Sequence, residues 1–357
     1  MLYPIGTNCG RAAVLNETVY VVGEASPTAI ELYDPIEDKC SEGTPLPISE
    51  GSCVVAACQN RIYVIGGPTV SGLSTNQAYD PTTGTWENKT AMPTWAIGMQ
   101  ANVINGKIYV IAGGQQEGYG VFQITKSNWV YDPANDSWSQ MADIPTPVAF
   151  YASTVLDGKI YIIGGMDHYY YQYPPSTYTN IVQIFDPETN QWNQGTPLPM
   201  NMSEMASAVT TGLQAPKRLY VVGGRAANYG YSAVNWTLVY DPETDNWSFG
   251  ASMHIARRDI SLATVDDKLY ALGGVNSDQQ WLVTNEVYIP AEYEIVTPTP
   301  STTASPSSSP TTMPSIPEFP IGITTLSLIV IMVVAILRRR HITRLPVRLL
   351  RHQACFS

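Results

Sequence analysis

The sequence predicts an all-β domain built from repeated four-stranded antiparallel units. Three observations support this prediction. First, 357 residues with 44% apolar and 14% charged side chains can bury a large core. Second, 27 Gly, 27 Pro, 22 Tyr and 8 Trp are typical of short strands and tight turns rather than of helices. Third, one pattern recurs along residues 11–296, and such recurrence indicates a repeat architecture.

The first part of each repeat is an apolar strand that ends in a diglycine. Five copies carry it, and Tyr20-Val-Val-Gly23 is a degenerate first copy. Glycine lets the backbone of one strand lie close to a neighbouring side chain, so these positions are predicted to be structural. They are Gly66, Gly67, Gly113, Gly114, Gly164, Gly165, Gly223, Gly224, Gly273 and Gly274.

The second part is an aromatic-Asp-Pro turn with a Trp seven residues after the aromatic residue. Asp-Pro favours a tight turn, and Trp presents a large apolar surface that one small sheet cannot bury alone. The copies with this residue are Trp86, Trp138, Trp192 and Trp247. Cys40 takes the Trp position in the first copy and Ile295 in the last, so residues 291–296 are predicted to form the outermost strand of the last unit.

Six such units resemble the kelch-repeat β-propeller family, in which four-stranded blades stack around a central axis. The resemblance covers residues 1–296 and implies a six-bladed propeller. Counting back one repeat from Tyr20 reaches a point before Met1. The chain is therefore expected to begin inside a loop between blades, which favours a truncated start and leaves a seventh blade open. The alternative to a truncated start is that the N-terminus is exported by a helix near the C-terminus, described below.

The composition changes after the repeats. Residues 297–320 are rich in Ser, Thr and Pro, cannot form a core, and are predicted to be a disordered stalk. Residues 321–337 are apolar and uncharged and are predicted to be a transmembrane helix, with a buried core helix as the alternative. Arginines follow, so residues 338–357 are predicted to be a cytoplasmic tail, with the propeller outside the cell.

The order of Pro317-Glu-Phe-Pro320, apolar helix and arginine cluster resembles the archaeal PEF-CTERM sorting segment, in which the helix is replaced by a lipid anchor. This resemblance implies a cell-surface protein. The sequence departs from the pattern because 17 further residues follow Arg340. Single-pass membrane anchoring is therefore predicted, and processing of the segment is left open.

Charge and motifs limit the chemistry. The first 320 residues hold 13 Lys and Arg against all 30 acidic residues, a net charge of −17 that argues against nucleic acid as a partner. Only His168 and His254 precede the apolar segment, without metal-ligand spacing, so no metal, cofactor or catalytic residue is assigned. A copper oxidase of the galactose-oxidase type is disfavoured, and sialidase boxes do not occur. The sialic acid mutarotases, also six-bladed kelch proteins, remain the enzymatic alternative.

The cysteines allow two interpretations. Cys9 and Cys53 precede Tyr20 and Tyr63 by similar distances, so they enter neighbouring inner strands at a similar height and are placed to form a disulfide outside the cell. The alternative is that the cysteines are buried thiols and that Cys40 replaces a packing Trp.

Loops on one face are predicted to bind the ligand. The loops from the second to the third strand and those between blades emerge on the same face, here named the loop face, and blades three to five carry the longest of them. Tyr and Arg in such loops are typical of sugar- and protein-binding surfaces. The candidate ligand-binding residues are Tyr119, Tyr169, Tyr170, Tyr171, Tyr173, Tyr178, Tyr229, Tyr231, Arg225 and Arg257. For the tyrosines, the alternative is that they pack against each other within the loops. For Arg257, the alternative is a structural role.

The predicted function is therefore that of a surface-anchored, non-catalytic module for adhesion or binding, with a glycan or a protein as ligand. Sequons flanking the outer Trp strands add candidate glycosylation sites, because a glycan there would point away from neighbouring blades. These sites are Asn88, Asn135 and Asn246.

Overall fold

The computed structural model describes residues 12–23, 28–48, 52–67, 74–117, 121–170, 177–227, 232–294 and 349–352. These ranges contain strands, turns and loops and no α-helix, which confirms the all-β prediction. Six four-stranded antiparallel sheets form six blades. The first strands of successive blades contact one another in order, and the first strand of blade six contacts that of blade one, so the ring is closed.

The blade strands follow the chain. They are β1 (Ala12–Leu15), β2 (Thr18–Val22), β3 (Ile30–Asp34) and β4 (Lys39–Glu42) in blade one; β5 (Val54–Cys58), β6 (Arg61–Ile65), β7 (Asn76–Asp80) and β8 (Thr85–Asn88) in blade two; β9 (Ala101–Ile104), β10 (Lys107–Ile111), β13 (Asn128–Asp132) and β14 (Ser137–Gln140) in blade three; β15 (Ala152–Leu156), β16 (Lys159–Ile163), β19 (Val182–Asp186) and β20 (Gln191–Gly195) in blade four; β22 (Ala206–Val209), β23 (Leu219–Val222), β25 (Thr237–Asp241) and β26 (Asn246–Phe249) in blade five; and β27 (Ser261–Val265), β28 (Lys268–Leu272), β29 (Asn285–Tyr288) and β30 (Leu349–His352) in blade six. Within the described residues, six shorter strands lie outside the blades: β11 (Gly114–Glu117), β12 (Val121–Ile124), β17 (Met166–Tyr170), β18 (Thr177–Tyr178), β21 (Met202–Ser203) and β24 (Arg225–Ala226).

The diglycines end the second strand of their blades, as predicted, and four of the five pairs have positive φ at both residues. Blade three differs. There Ala112 (φ 52°) and Gly113 (φ 90°) occupy the two left-handed positions, whereas Gly114 already belongs to β11. The pair predicted as Gly113 and Gly114 is thus shifted by one residue, because the strand-ending motif of this blade contains an extra alanine.

The Trp residues hold neighbouring blades together. Each one pairs across strands with the aromatic residue of its own blade, as Trp86 does with Tyr79. Its indole Nε1 then donates to a carbonyl in the preceding blade, at distances of 2.8 to 3.0 Å. The acceptor always lies four residues after the Trp position of that blade, so Trp86 binds Thr44, four residues after Cys40.

A repeated ion pair was not predicted from the sequence. A basic residue two positions before the Tyr of the second strand approaches the Asp of the Asp-Pro turn within 3.1 to 3.6 Å in four blades, as Arg218 and Asp241 do. Blade six has Ile289 in place of that Asp. Its basic residue, Lys268, lies over the ring of Tyr293 instead, 5.2 Å from the centroid.

The outermost strand of blade six differs from the prediction. β30 pairs with β29, with Leu349 opposite Tyr288, whereas residues 291–294 form a turn and a coil. The reason is that Tyr293 and Glu294 bind elsewhere: the backbone N–H of Glu294 donates to the carbonyl of Gln214 at 2.7 Å, and the Tyr293 hydroxyl contacts the Gln214 side chain.

This pairing bears on the predicted topology. Residues 297–320 and 321–337 lie outside the described residues, and the described ranges contain no helix long and apolar enough to cross a membrane. β30 belongs to the segment predicted as a cytoplasmic tail, yet it is paired with the propeller. A strand cannot lie in blade six and across the membrane from it at once.

The cysteines follow neither predicted arrangement. Cys40 is disulfide-bonded. Cys53 is a buried thiol, so it does not bridge to Cys9, and Cys58 is a second buried thiol. Burial, with a smaller contribution from Asp132, raises the pKa of Cys58 to about 11.

Candidate functional site

The long loops of blades three and four form an accessory sheet on the loop face. Its strand order is β11, β12, β17, β18, so hairpins from two different blades pair with each other. Phe122 pairs with Tyr169 and Val121 with Tyr170, which places both predicted tyrosines on a strand. The other loop tyrosines predicted to bind ligand lie outside the described residues, namely Tyr119, Tyr171, Tyr173, Tyr229 and Tyr231.

A partial ring of peptide groups, from four of the six blades, lies just before the inner strands on this face. The N–H of Phe150 donates to the carbonyl of Gly98, that of Glu204 to Phe150, and that of Asp259 to Glu204, at 2.8 to 3.1 Å. These four residues come from successive loops between blades, and all have φ between 52° and 67°. Left-handed backbone costs energy for residues other than glycine and is concentrated at functional sites.

An ionic cluster lies on this ring. Glu204 is 3.1 Å from Nε of Arg225 and 3.2 Å from Nη1 of Arg258, and Arg258 also contacts Asp259. All four side chains are at least four-fifths buried. Tyr178, buried in β18, hydrogen-bonds to Arg225. The structure therefore brings together two of the predicted residues, Tyr178 and Arg225, and adds three acidic or basic neighbours.

The protonation of Glu204 is unusual. Burial, together with the negative charge of Asp259, raises the pKa of Glu204 to about 7 against the opposing attraction of Arg225 and Arg258. A carboxyl group that titrates near neutral pH can both hold and release a proton under physiological conditions.

This pKa predicts a specific pH dependence of stability. The unfolded chain releases the proton near 4.5 and the folded chain near 7, so stability falls as pH rises between these values and then levels off. We expect Glu204→Gln to remove roughly 1–3 kcal/mol of the stability difference between pH 5 and pH 8. Urea unfolding at both pH values measures this, with exposed Glu188→Gln as the control. Equal pH dependence in wild type and Glu204→Gln would contradict it.

Arg257 has a structural role. Its side chain is fully buried and offers no surface to a ligand. It pairs with buried Glu286 at 2.8 Å and donates to the carbonyls of Gly273 and Thr284. The assignment of Arg257 to the ligand-binding set was therefore wrong, and the structural alternative describes it.

Blade six contributes a residue that the sequence analysis missed. Trp281 is 53% exposed and Val283 41%, although large apolar side chains are usually buried. Val275 bridges to both Arg258 and Trp281, so these residues form a short ribbon. Nη2 of Arg258 donates to Oε1 of Gln279 at 2.8 Å. We name Arg258, Gln279, Trp281 and Val283 the blade-six patch.

A signal for Trp281 was present in the sequence. The packing Trp of a blade follows its aromatic residue by seven positions, whereas Trp281 precedes Tyr288 by seven. It is therefore out of phase with the repeat and lies in a loop of the loop face. Loop length and tyrosine content predicted the ligand-binding loops in blades three to five instead.

The inner strands that follow this partial ring line the central channel. This channel is a cavity of about 360 Å³ lined by the inner strands of all six blades. Asn102 and Ser153 hydrogen-bond across neighbouring blades at 2.9 Å, and the lining side chains are small, apolar or uncharged polar. Among the described residues no group of three His, Cys, Asp or Glu is arranged to hold a metal ion.

The candidate glycosylation sites are accessible. Asn88, Asn135 and Asn246 are exposed on or beside the outer strands β8, β14 and β26. Asn135 donates to Asp132 and Asn246 to the carbonyl of Thr244, both on the solvent side. Their glycosylation remains a prediction.

The fold and the repeats define a kelch-type β-propeller. The chain belongs to the Attractin/LZTR1 β-propeller family, whose sequence profile matches residues 62–289. It is similar to Kelch-like protein 35 of Mus musculus, 33% identical over 46% of this chain and 26% of that protein. It is also similar to Kelch-like protein 36 of the same organism, 25% identical over 67% of this chain and 38% of that protein.

The chain spans about a quarter to a half of the length of the curated relatives that it matches. Among solved structures, YjhT superimposes with a TM-score of 0.68 at 18% identity, over 82% of this chain and 97% of that chain. This likeness supports the fold alone. The archaeal sorting segment finds no support in these comparisons.

Proposed function

We propose that this propeller is a non-catalytic binding module that engages a protein partner through the blade-six patch. The observation that carries the proposal is the exposed Trp281 on the ribbon in which Val275 bridges to both Trp281 and Arg258. Trp and Arg are the residues most enriched among those that dominate the binding energy of protein interfaces. The kelch-like relatives are consistent with a protein-binding propeller.

The patch is held in place before a partner arrives. The side chain of Arg258 is held by Glu204, Asp259 and Gln279, and the backbone of Trp281 is held by its bridge to Val275. Side chains that are already ordered lose less conformational entropy on binding, so more of the contact energy appears as affinity. A glycan ligand, the other class predicted from the sequence, would use the same aromatic surface and is an outcome of the test.

Loss of Trp281 should abolish most of the affinity. We expect Trp281→Ser to weaken binding at least tenfold, about 1.4 kcal/mol, with little change in stability, because the side chain is half exposed in the free protein. The measurement is binding of the folded chain to arrays of purified cell-surface proteins and of glycans. Phe249→Ser is the matched control, since Phe249 is 59% exposed on outer strand β26. Equal losses in both variants would contradict the proposal.

A carbohydrate-active enzyme of the mutarotase type is the second candidate. The observation that favours it is Glu204, with a pKa of about 7, beside two arginines on the loop face. A general acid or base works best when its pKa is near the operating pH, and arginine suits an acidic sugar. Turnover of an arrayed sugar that Glu204→Gln abolishes would establish this candidate in place of the first.

We also propose a location outside the reducing cytoplasm, attached to the membrane through residues 321–337. The disulfide at Cys40 supports the first part, because disulfides persist in oxidising compartments. The apolar run supports the second. The single-pass topology requires residues 349–352 to leave blade six. Protease added to intact cells should degrade the propeller; a protected propeller would contradict the location.

A further inference from the structure

The outer strand of blade six is connected and fastened differently from those of the other blades. In the other five blades the outer strand begins five residues after the third strand ends, whereas β30 begins 61 residues after the end of β29. A long connection supplies a strand at a lower effective concentration than a tight turn does. Four of the other blades also fasten their outer strand through a Trp, and Leu349 takes that position in β30. Of the six outer strands, β30 is therefore the one that another strand can most easily replace.

Asn285, the first residue of β29, has a buried side chain that β30 leaves unpaired. It holds the repeat position of Asn76 and Asn128, three residues before the aromatic residue of the blade, and is fully buried. Nδ2 of Asn76 donates to the carbonyl of Thr90 at 3.1 Å. Nδ2 of Asn128 donates to the carbonyl of Ala142 at 3.2 Å, and both acceptors lie four residues after the Trp of their blade. Among the described residues, neither side-chain atom of Asn285 has a hydrogen-bond partner, and a buried polar group left in this way costs free energy.

The carbonyl of Ala251 is the corresponding acceptor in blade five. At four junctions between blades, an indole Nε1 donates to the carbonyl four residues after the preceding Trp position. Ala251 lies four residues after Trp247, and it packs in the same cluster as Tyr288 of blade six. Leu349 is paired with Tyr288 and has no side-chain N–H that could donate to this carbonyl. The junction of blades five and six therefore keeps an acceptor for a Trp that β30 does not contain.

We propose that the outer edge of β29 binds an extended segment of a partner protein, which replaces β30 and carries a Trp opposite Tyr288. The backbone groups of a sheet edge bind such a segment as an added strand, and its side chains give specificity. The Trp donates to the carbonyl of Ala251, and the carbonyl four residues after the Trp accepts from Asn285. The outer strands of blades two and three meet both requirements within this chain.

The outer strand of blade three provides a probe with these features. A fluorescent peptide of residues 134–144, which contains Trp138, is titrated into the full chain, and its anisotropy is measured. We expect saturable binding, and binding at least about tenfold weaker for the Trp138→Ala peptide, because Trp is a frequent anchor of binding energy. Hydrogen exchange in residues 349–352 should become faster on binding as β30 leaves, whereas Asn285–Tyr288 should stay protected by the added strand.

Two variants of the protein locate the peptide. Asn285→Ala should weaken its binding about three- to tenfold, as expected for the loss of one hydrogen bond. Asn76→Ala is the matched control, because Asn76 is equally buried at the same repeat position but its outer strand follows through a tight turn. Equal weakening in the two variants would overturn the proposal. So would unchanged exchange of β30, equal binding of the two peptides, or no saturable binding at about 1 mM peptide.

A second copy of this chain is the other possible donor of a strand. Sedimentation of the wild type and of Leu350→Pro, which removes a backbone donor from β30, should find monomers in both cases. A wild-type dimer that Leu350→Pro dissociates would assign the edge to β30 of another copy and would overturn the proposal. The peptide assay uses no ligand of the blade-six patch, so its failure would leave that binding assignment intact.

Discussion

Replacement of Gly164 by alanine is expected to lower the free energy of unfolding by about 2–4 kcal/mol. Its φ of 61° is strained for any residue with a Cβ. In addition, a Cβ would lie 2.7 Å from the carbonyl oxygen of Met202, a backbone atom that cannot move aside easily. That oxygen already accepts the N–H of Gly165 at 2.9 Å, so blades four and five would have to separate.

Gly158 provides the matched control for this substitution. Its φ is 71°, but a Cβ there meets nothing within 4 Å. Gly158→Ala should therefore lower the free energy of unfolding by the cost of backbone strain alone, about 1 kcal/mol. Urea denaturation of both variants separates strain from close approach. Similar losses in the two would show that the diglycine is needed for its dihedral angles and not for blade packing.

Arg257→Met is expected to cost about 3–5 kcal/mol, because it leaves the Glu286 carboxylate buried without its cation. Burial disfavours ionisation of Glu286, but the N–H of His254, the charge of Arg257 and the N–H of Ile255 outweigh it, so the pKa of Glu286 lies below its ordinary value. Its contribution to stability is thus present above its unfolded pKa and is lost as pH falls through the lower, folded pKa.

Lys159→Met is the control for Arg257→Met. Lys159 pairs with Asp186 at 3.6 Å, but it is 46% exposed, so its loss should cost less than about 1 kcal/mol. The double variant Arg257→Met with Glu286→Gln should recover part of the loss, since no unpaired charge remains buried. Equal effects of Arg257→Met and Lys159→Met in thermal unfolding would contradict the structural role of Arg257.

The blades could be predicted because their signals are local. A strand, a diglycine and an Asp-Pro turn recur within one unit, and each fixes backbone geometry through nearby residues. The outer strand of blade six could not, because β29 pairs with residues 349–352, far along the chain. The period of the repeat gives no information about such a distant strand. Ile295 follows Tyr288 by seven residues, as the packing Trp follows its aromatic residue, but residues 291–294 do not form that strand.

The loop face was predicted in part for a similar reason. Composition identified Arg225 and Tyr178 as candidates, and the structure brings them together. The accessory sheet was not predicted. It forms because hairpins from two blades pair with each other, and such pairing depends on how the blades are arranged rather than on local sequence. Trp281 could have been predicted from the sequence, because its position is out of phase with the repeated Trp. The burial of Arg257 could not, because it depends on the contact with Glu286.

A photo-crosslinking experiment tests the central claim, that the blade-six patch contacts the partner. Benzoylphenylalanine is placed at position 283 or at position 249, both of which are exposed in the propeller. Each protein is irradiated with a ligand identified on the protein array. The account predicts an adduct from position 283 and none from position 249. An adduct from position 249 alone would contradict it and would place the partner on the outer edge of blade five.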